Sequence, residues 1–132
     1  EFERAARQPV KVLRAIATDG QGVYAERAIE ALFYWPSAEG LDFTISMLKA
    51  NEATAGRKHR LLMGISKHYP EQALVLLEDY IRADDRGLRI TAAAALQNIG
   101  STQAFELLDQ ALLNESDIAA KAAMERYARR LH

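Results

Sequence analysis

The feature that most constrains this chain is a pair of short helical segments that recurs along it. The clearest copy runs from Arg86 to Leu113 and reads RGLRITAAAALQNIGSTQAFELLDQALL. In its first half the apolar residues recur every three or four positions, as they do on one face of an α-helix. Gly100 follows the last of them, where a left-handed C-cap is favourable, and Ser101 offers an N-cap for a second helix. Neither helix is long enough to be stable alone in water, so the pair needs neighbours.

Two earlier segments repeat this pair. In the second helices, Leu41 aligns with Leu74 and Leu74 aligns with Phe105. The first helices align in the same register at these positions: Leu32, Ile65 and Leu96. A period in the low thirties with two helices in each period is typical of an α-solenoid. The four alanines at 92–95 are small enough to let a neighbouring helix approach closely, so we expect them at the interface between repeats.

The alignment therefore predicts one all-α domain over residues 1–132, an α–α superhelix of about seven to eight helices in antiparallel pairs. It comprises a half-unit at 2–19, repeats at 22–50, 53–82 and 86–113, and a terminal helix at 116–131. Within these repeats the apolar patterns predict helices over the following ranges: 2–17 (best defined over 10–17), 23–35, 41–50, 53–68, 71–82, 86–99 and 118–131. A further helix, the second of the clearest copy, carries its apolar face from Ala104 to Leu112. Ser37, Asp85 and the pair Ser116–Asp117 are the expected N-caps, and Pro70 suits the first turn of a helix.

Composition limits the classes of function. An apolar content of 49% is globular, and 17 basic against 18 acidic side chains argue against a general affinity for nucleic acids or membrane surfaces. There is no cysteine, which excludes disulfides and thiol chemistry. We find no apolar run that approaches the length of a membrane span and expect no membrane partner. The sequence does not determine the cellular compartment, although we favour the cytoplasm. Because the chain starts at Glu1, we expect processing or a longer parent chain.

The best-formed copy contains a motif made of Asp84, Asp85, Arg89, Ala92, Ala93, Ala95, Leu96, Ile99 and Gly100. In these residues it resembles the short HEAT-like repeats of the phycobilisome-lyase type, which belong to the armadillo-like α-solenoids. The resemblance implies stacked helix pairs whose second helices line a concave face. Tetratricopeptide repeats are the alternative, but their period is slightly longer, and the glycine and closing proline expected of them are missing.

The sequence contains no recognisable group of catalytic or metal-binding residues. His59 and His68 would lie about 180° apart around a helix, so they cannot bind one metal ion together. Asp84 and Asp85 lie in a turn, where capping is the expected role. No phosphate-binding loop or nucleophile motif is present in the sequence. We therefore expect no catalytic residue, no metal and no cofactor, and a chain that is not an enzyme.

The second helices carry the candidate binding surface. Their positions opposite the apolar stripe align from repeat to repeat, and most of the charged residues there are acidic, whereas those of the first helices are mostly basic. We call the predicted partner-binding set the acidic ridge, after its five acidic members Asp42, Glu78, Asp79, Glu106 and Asp109; its other members are Ile45, Val75, Gln110 and, at one end, Lys49 and Arg82. One interpretation of these acidic positions is that they have no binding role and are ordinary solvent-exposed helix faces. The functional interpretation is a surface that attracts a partner with basic character.

The sequence thus favours a non-enzymatic scaffold that binds a protein or peptide segment on a concave, acidic face. Two alternatives stay open. One is a nucleic-acid-binding module similar to HEAT-like DNA glycosylases, with the basic first helices as the contact layer. The other is a lyase or chaperone role, which is implied by the type of repeat alone. The sequence leaves the oligomeric state open.

Overall fold

The computed structural model describes residues 11–18, 23–34, 37–50 and 53–129. All regular secondary structure among these residues is α-helical, which confirms the predicted all-α class. The helices of these ranges are α1 (11–18), α2 (Val23–Leu32), α3 (Ala38–Lys49), α4 (Ala55–His68), α5 (Pro70–Tyr80), α6 (Arg86–Ile99), α7 (Thr102–Asn114) and α8 (Ile118–Ala128).

The chain divides into two compact units, Glu1–Ala53 and Thr54–His132, which we call the first and second unit. The first unit contains α1 to α3 and the second contains α4 to α8. The single repeat domain over 1–132 and its superhelical arrangement stay predictions.

Side-chain caps set the starts of most helices, as the sequence predicts. Asp85 Oδ1 accepts a hydrogen bond from the amide of Gly87 at 2.7 Å, at the start of α6. Ser37, Ser101 and Asp117 cap α3, α7 and α8 in the same way. These side chains satisfy amide donors that a helix start otherwise leaves without a partner.

Several predicted bounds need correction. α2 ends at Leu32 instead of 35, because the chain turns there and the amide of Phe33 donates to the carbonyl of Glu30 at 3.1 Å. α3 starts at residue 38 instead of 41, directly after its cap, and α4 starts at 55 instead of 53 because Thr54 is its cap. α5 includes Pro70 and ends at Tyr80 instead of 82. The predicted stretches at 2–10, 35–36 and 130–131 lie outside the described residues.

Burial repeats along the chain in the same register as the sequence pattern. In the first helices the buried positions include Leu32, Ile65 and Leu96, as the alignment predicts. In the second helices two equivalent sets are buried in every copy: Gly40, Ala73 and Ala104, and Thr44, Leu77 and Leu108. In the set that the sequence aligns, Leu41 is buried, whereas Leu74 and Phe105 are half-buried. The hydroxyl of Thr44 tolerates burial because it donates to the carbonyl of Leu41 at 2.8 Å.

Helix α6 is the centre of the second unit, because it packs against α4, α5, α7 and α8. Ala92, Ala93 and Ala95 are fully buried there, and such small side chains allow close helix contacts on several sides. A hydrogen bond between Nδ1 of His59 and Oγ1 of Thr91, at 2.9 Å, also joins α4 to α6. Three of the four alanines at 92–95 are thus buried and Ala94 is half-buried, and their place between repeats stays a prediction.

Enlarging one of these alanines tests the close packing. Ala93→Leu adds a branched side chain where Ala93 has no exposed surface, and we expect a loss of about 1–3 kcal/mol in the free energy of unfolding. Urea denaturation followed by circular dichroism measures it. Ala122→Leu on the exposed side of α8 is the matched control and should change stability little. An equally small effect at Ala93 would contradict the packing argument.

The C-terminus of α6 gives a second prediction. Gly100 has φ 70°, and its amide donates to the carbonyl of Leu96 at 3.0 Å. Since a Cβ strains this left-handed conformation, Gly100→Ala should lower the free energy of unfolding by about 1 kcal/mol. Gly56→Ala in α4 is the control, because an added Cβ there meets Arg60 Nη2 at an ordinary 3.8 Å. That variant should be neutral or stabilised by up to about 1 kcal/mol.

Candidate partner-binding face

The helices of the second unit form two layers. Helices α4, α6 and α8 pack side by side, and we call them the first-helix layer. Helix α5 packs on α4 and α6, and α7 packs on α6 and α8; these two form the second-helix layer. Each helix turns its apolar stripe towards the other layer, so the two outer faces point in opposite directions.

The second-helix layer carries most of the predicted acidic ridge. On α5 and directly after it, Val75, Glu78, Asp79 and Arg82 are exposed. The exposed ridge residues of α7 are Glu106, Asp109 and Gln110. The structure therefore brings these seven side chains to one layer of the second unit.

The remaining members of the ridge lie on α3 in the first unit. Asp42 and Lys49 are exposed, whereas Ile45 is half-buried. The half-burial of Ile45 leaves the two charged side chains as the more accessible part of this segment.

A groove of about 390 Å³ opens between the segment that follows α5 and the facing side of α7. Its wall combines the apolar side chains of Ile81, Leu107 and Ala111 with polar groups of Gln110 and Asn114. Of the predicted ridge, Arg82 and Gln110 line this groove. A mixture of apolar wall and hydrogen-bonding side chains suits a peptide segment, which presents both kinds of group.

An ion pair at one end of the groove connects two loops. Arg89 Nε donates to Glu115 Oε1 at 2.7 Å, and Arg89 Nη2 donates to Oε2 at 3.3 Å. Arg89 Nη1 donates to the carbonyls of Ala83 and Asp84, each at 2.9 Å. One guanidinium thus joins the loop before α6 to the loop after α7 and fixes the end of the groove.

Both side chains of this pair are largely shielded from solvent. The side chain of Glu115 is 5% exposed and that of Arg89 is 19% exposed. The hydrogen bond from Arg89 holds the pKa of Glu115 below its usual value, although burial acts in the opposite direction. The amide of Asp117 also donates to Glu115 Oε2, at 3.2 Å, and favours the charged carboxylate.

The sequence analysis named one residue of this pair, without a contact role, and missed the other. Arg89 belongs to the repeat motif. Glu115 lies between two helices, where an acidic residue is ordinary. No local pattern shows that the chain folds back after α7 to place Glu115 against Arg89.

The first unit contains a separate cavity of about 330 Å³, lined by α1 and by Phe43 of α3. Arg14 Nη1 donates to Glu39 Oε1 at 2.7 Å, and the guanidinium carbon lies 5.0 Å from the centroid of the Phe43 ring. The carboxylate and the aromatic ring thus already engage Arg14, and the cavity contains no residue of the predicted ridge.

Comparison with other proteins adds no assignment. The chain has no significant match among protein-family models, curated proteins or solved structures. Over the described ranges, His, Asp and Glu side chains form no cluster of three or more that could hold a metal ion. None of the helices described above is both long and apolar enough to cross a membrane.

The Arg89–Glu115 pair predicts an acid-dependent stability. Glu115→Gln keeps the side-chain shape but removes the charge, and we expect a loss of about 1–2 kcal/mol at neutral pH. The folded pKa of Glu115 is lowered, so its contribution is complete above the unfolded value of about 4.3 and disappears as pH falls through the folded pKa.

We would measure the free energy of unfolding by urea for the unmodified chain and for Glu115→Gln from about pH 7 down to pH 3. The difference between the two values should therefore disappear on acidification. Asp117, whose pKa is also lowered, is present in both the unmodified chain and the variant. A constant difference across this range would show that the charge of Glu115 is not what stabilises the two loops.

Proposed function

We propose that this chain is a HEAT-like α-solenoid that acts as a non-enzymatic scaffold and binds a basic protein segment on its second helices. The observation that carries the proposal is the charge of the second-helix layer. Helices α5 and α7 contain five acidic side chains and no basic one. All five acidic side chains are exposed.

The repeated burial supports the solenoid part of this proposal. Equivalent positions in successive helices are buried in the register of the repeat, and the first-helix layer of the second unit stacks helix on helix. Such a repeat stacks to form an extended surface, which is where solenoids commonly bind their partners. The concavity of that surface remains part of the proposal.

Exposed apolar side chains refine the kind of partner. Val75 on α5 is 70% exposed and Leu113 on α7 is 86% exposed, beside the acidic residues of the same helices. A partner that presents Lys or Arg together with aliphatic side chains satisfies both features. The acidic charge increases the rate of encounter, and burial of the apolar groups then adds affinity.

The lyase, chaperone and nucleic-acid alternatives have less support. The groove wall offers no Cys or His, and the carboxylate next to its hydroxyl of Ser116, that of Glu115, is already paired with Arg89. An acidic layer repels a phosphate backbone, so a nucleic acid would have to contact the opposite layer.

The test is binding of a short fluorescein-labelled peptide that contains Lys and Leu, measured by anisotropy. Reversal of Glu78, Asp79 and Glu106 to Lys should weaken binding at least tenfold. The physical reason is that three attractions become three repulsions on one face. Affinity for the unmodified chain should also fall as salt rises, since these residues are solvent-exposed.

Two controls make this result specific. A peptide with Glu in place of Lys should not bind the unmodified chain. The variant Lys67→Glu/Arg126→Glu, altered in the first-helix layer, should bind the Lys-containing peptide at least as well as the unmodified chain. If the variant with reversed acidic residues keeps its helical circular dichroism and binds the peptide with unchanged affinity, the second-helix layer is not the binding face.

A further inference from the structure

The first-helix layer of the second unit has the opposite charge. Helix α4 contains four basic side chains and α6 contains two, without an acidic residue in either helix. Helix α8 contains two basic and one acidic. The two layers of a single unit therefore have opposite charges of similar size, although the whole chain has a net charge of −1.

Exposed residues carry much of this charge. On the first-helix layer, Arg60 and Lys67 of α4 and Arg126 of α8 are exposed. At about 100° per residue, each of the three lies on the side of its helix away from the buried stripe. We call this surface the basic face, and the exposed acidic residues of α5 and α7 form the acidic face.

The two faces cannot neutralise each other within one unit. Two stacked helices with their side chains are about 20 Å thick. The Debye length is about 8 Å at physiological salt, so interactions between exposed charges on opposite sides are largely screened. Each face therefore attracts opposite charge from outside the unit.

We propose that a second copy of this chain is the partner of the basic face, which docks on the acidic face of that copy. Charge complementarity argues for this occupant, since one molecule presents both halves of the contact. A net charge near zero also leaves little overall repulsion between copies. The proposal goes beyond binding of a basic segment, because it needs the first-helix layer as well.

The contact is heterologous, which determines the form of the assembly. When the basic face of one copy meets the acidic face of another, each copy still has one face free. A third copy can then add in the same way, so that association does not stop at a dimer. A basic partner segment on the acidic face would compete with this association.

Sedimentation velocity of the full chain tests the proposal. At about 50 mM NaCl the weight-average mass should rise with concentration from the monomer mass of 14.7 kDa and pass that of a dimer. At about 1 M NaCl, where the Debye length is about 3 Å, it should return to the monomer mass. A monomer at every salt concentration, or an association that 1 M NaCl leaves unchanged, would overturn the proposal.

Two reversal variants identify the faces. The basic-face variant carries Arg60→Glu, Lys67→Glu and Arg126→Glu, and the acidic-face variant carries Glu78→Lys, Asp79→Lys and Glu106→Lys. Each presents two faces of like charge, so each alone should be monomeric at low salt. An equimolar mixture should associate again, because it brings an unmodified basic face together with an unmodified acidic face.

This complementation separates charge pairing from a loss of folding, because misfolded chains would not recover association on mixing. Failure of the folded variants to associate in the mixture would overturn the proposal. A second result would also overturn it: the unmodified chain binds a DNA duplex at low salt but does not self-associate. The basic face would then bind a polyanion instead of a second copy. The basic-face variant should still bind the Lys-containing peptide, so failure of one proposal is distinguishable from failure of the other.

Discussion

The second unit depends on the close packing of α6 against four other helices. That packing requires small side chains, and Ala92, Ala93 and Ala95 supply them with no exposed surface. If one helix is to contact neighbours on several sides, its side chains must take little space on each of them. The rest of the unit, including both of its outer faces, takes its position from this central helix.

The positions of the loops before α6 and after α7 depend on a different interaction, an ion pair. Arg89 uses its donors on Glu115 and on two carbonyl groups, and thereby joins the turn before α6 to the turn after α7. One repeat earlier, Lys58 and Asp84 occupy the positions equivalent to Arg89 and Glu115, so the signs of charge recur. The alignment shows that these charges recur, but only the folded structure shows that Arg89 and Glu115 are in contact.

Function, as we propose it, resides in the charge of the two layers and in the groove between α7 and the segment that follows α5. The sequence placed the acidic ridge on the outer sides of the second helices, and in the second unit those residues are exposed. The groove itself could not be predicted, because a groove depends on how far apart two helices lie. The residues that line it come from α6, α7 and the connecting segments beside them, and no periodic pattern relates them.

By itself, the sequence determined the helical class, most of the helix starts and the register of the repeats. These features follow from local chemistry: a hydroxyl or carboxylate that caps a helix, a glycine that adopts positive φ, and apolar residues at helical spacing. Tertiary structure alone decided which second-helix positions lie deepest. Gly40 and Thr44 are buried where the sequence pattern favoured larger apolar neighbours. The physical reason is that depth depends on the fit between facing helices, and a small side chain or a hydroxyl with an internal acceptor can satisfy that fit.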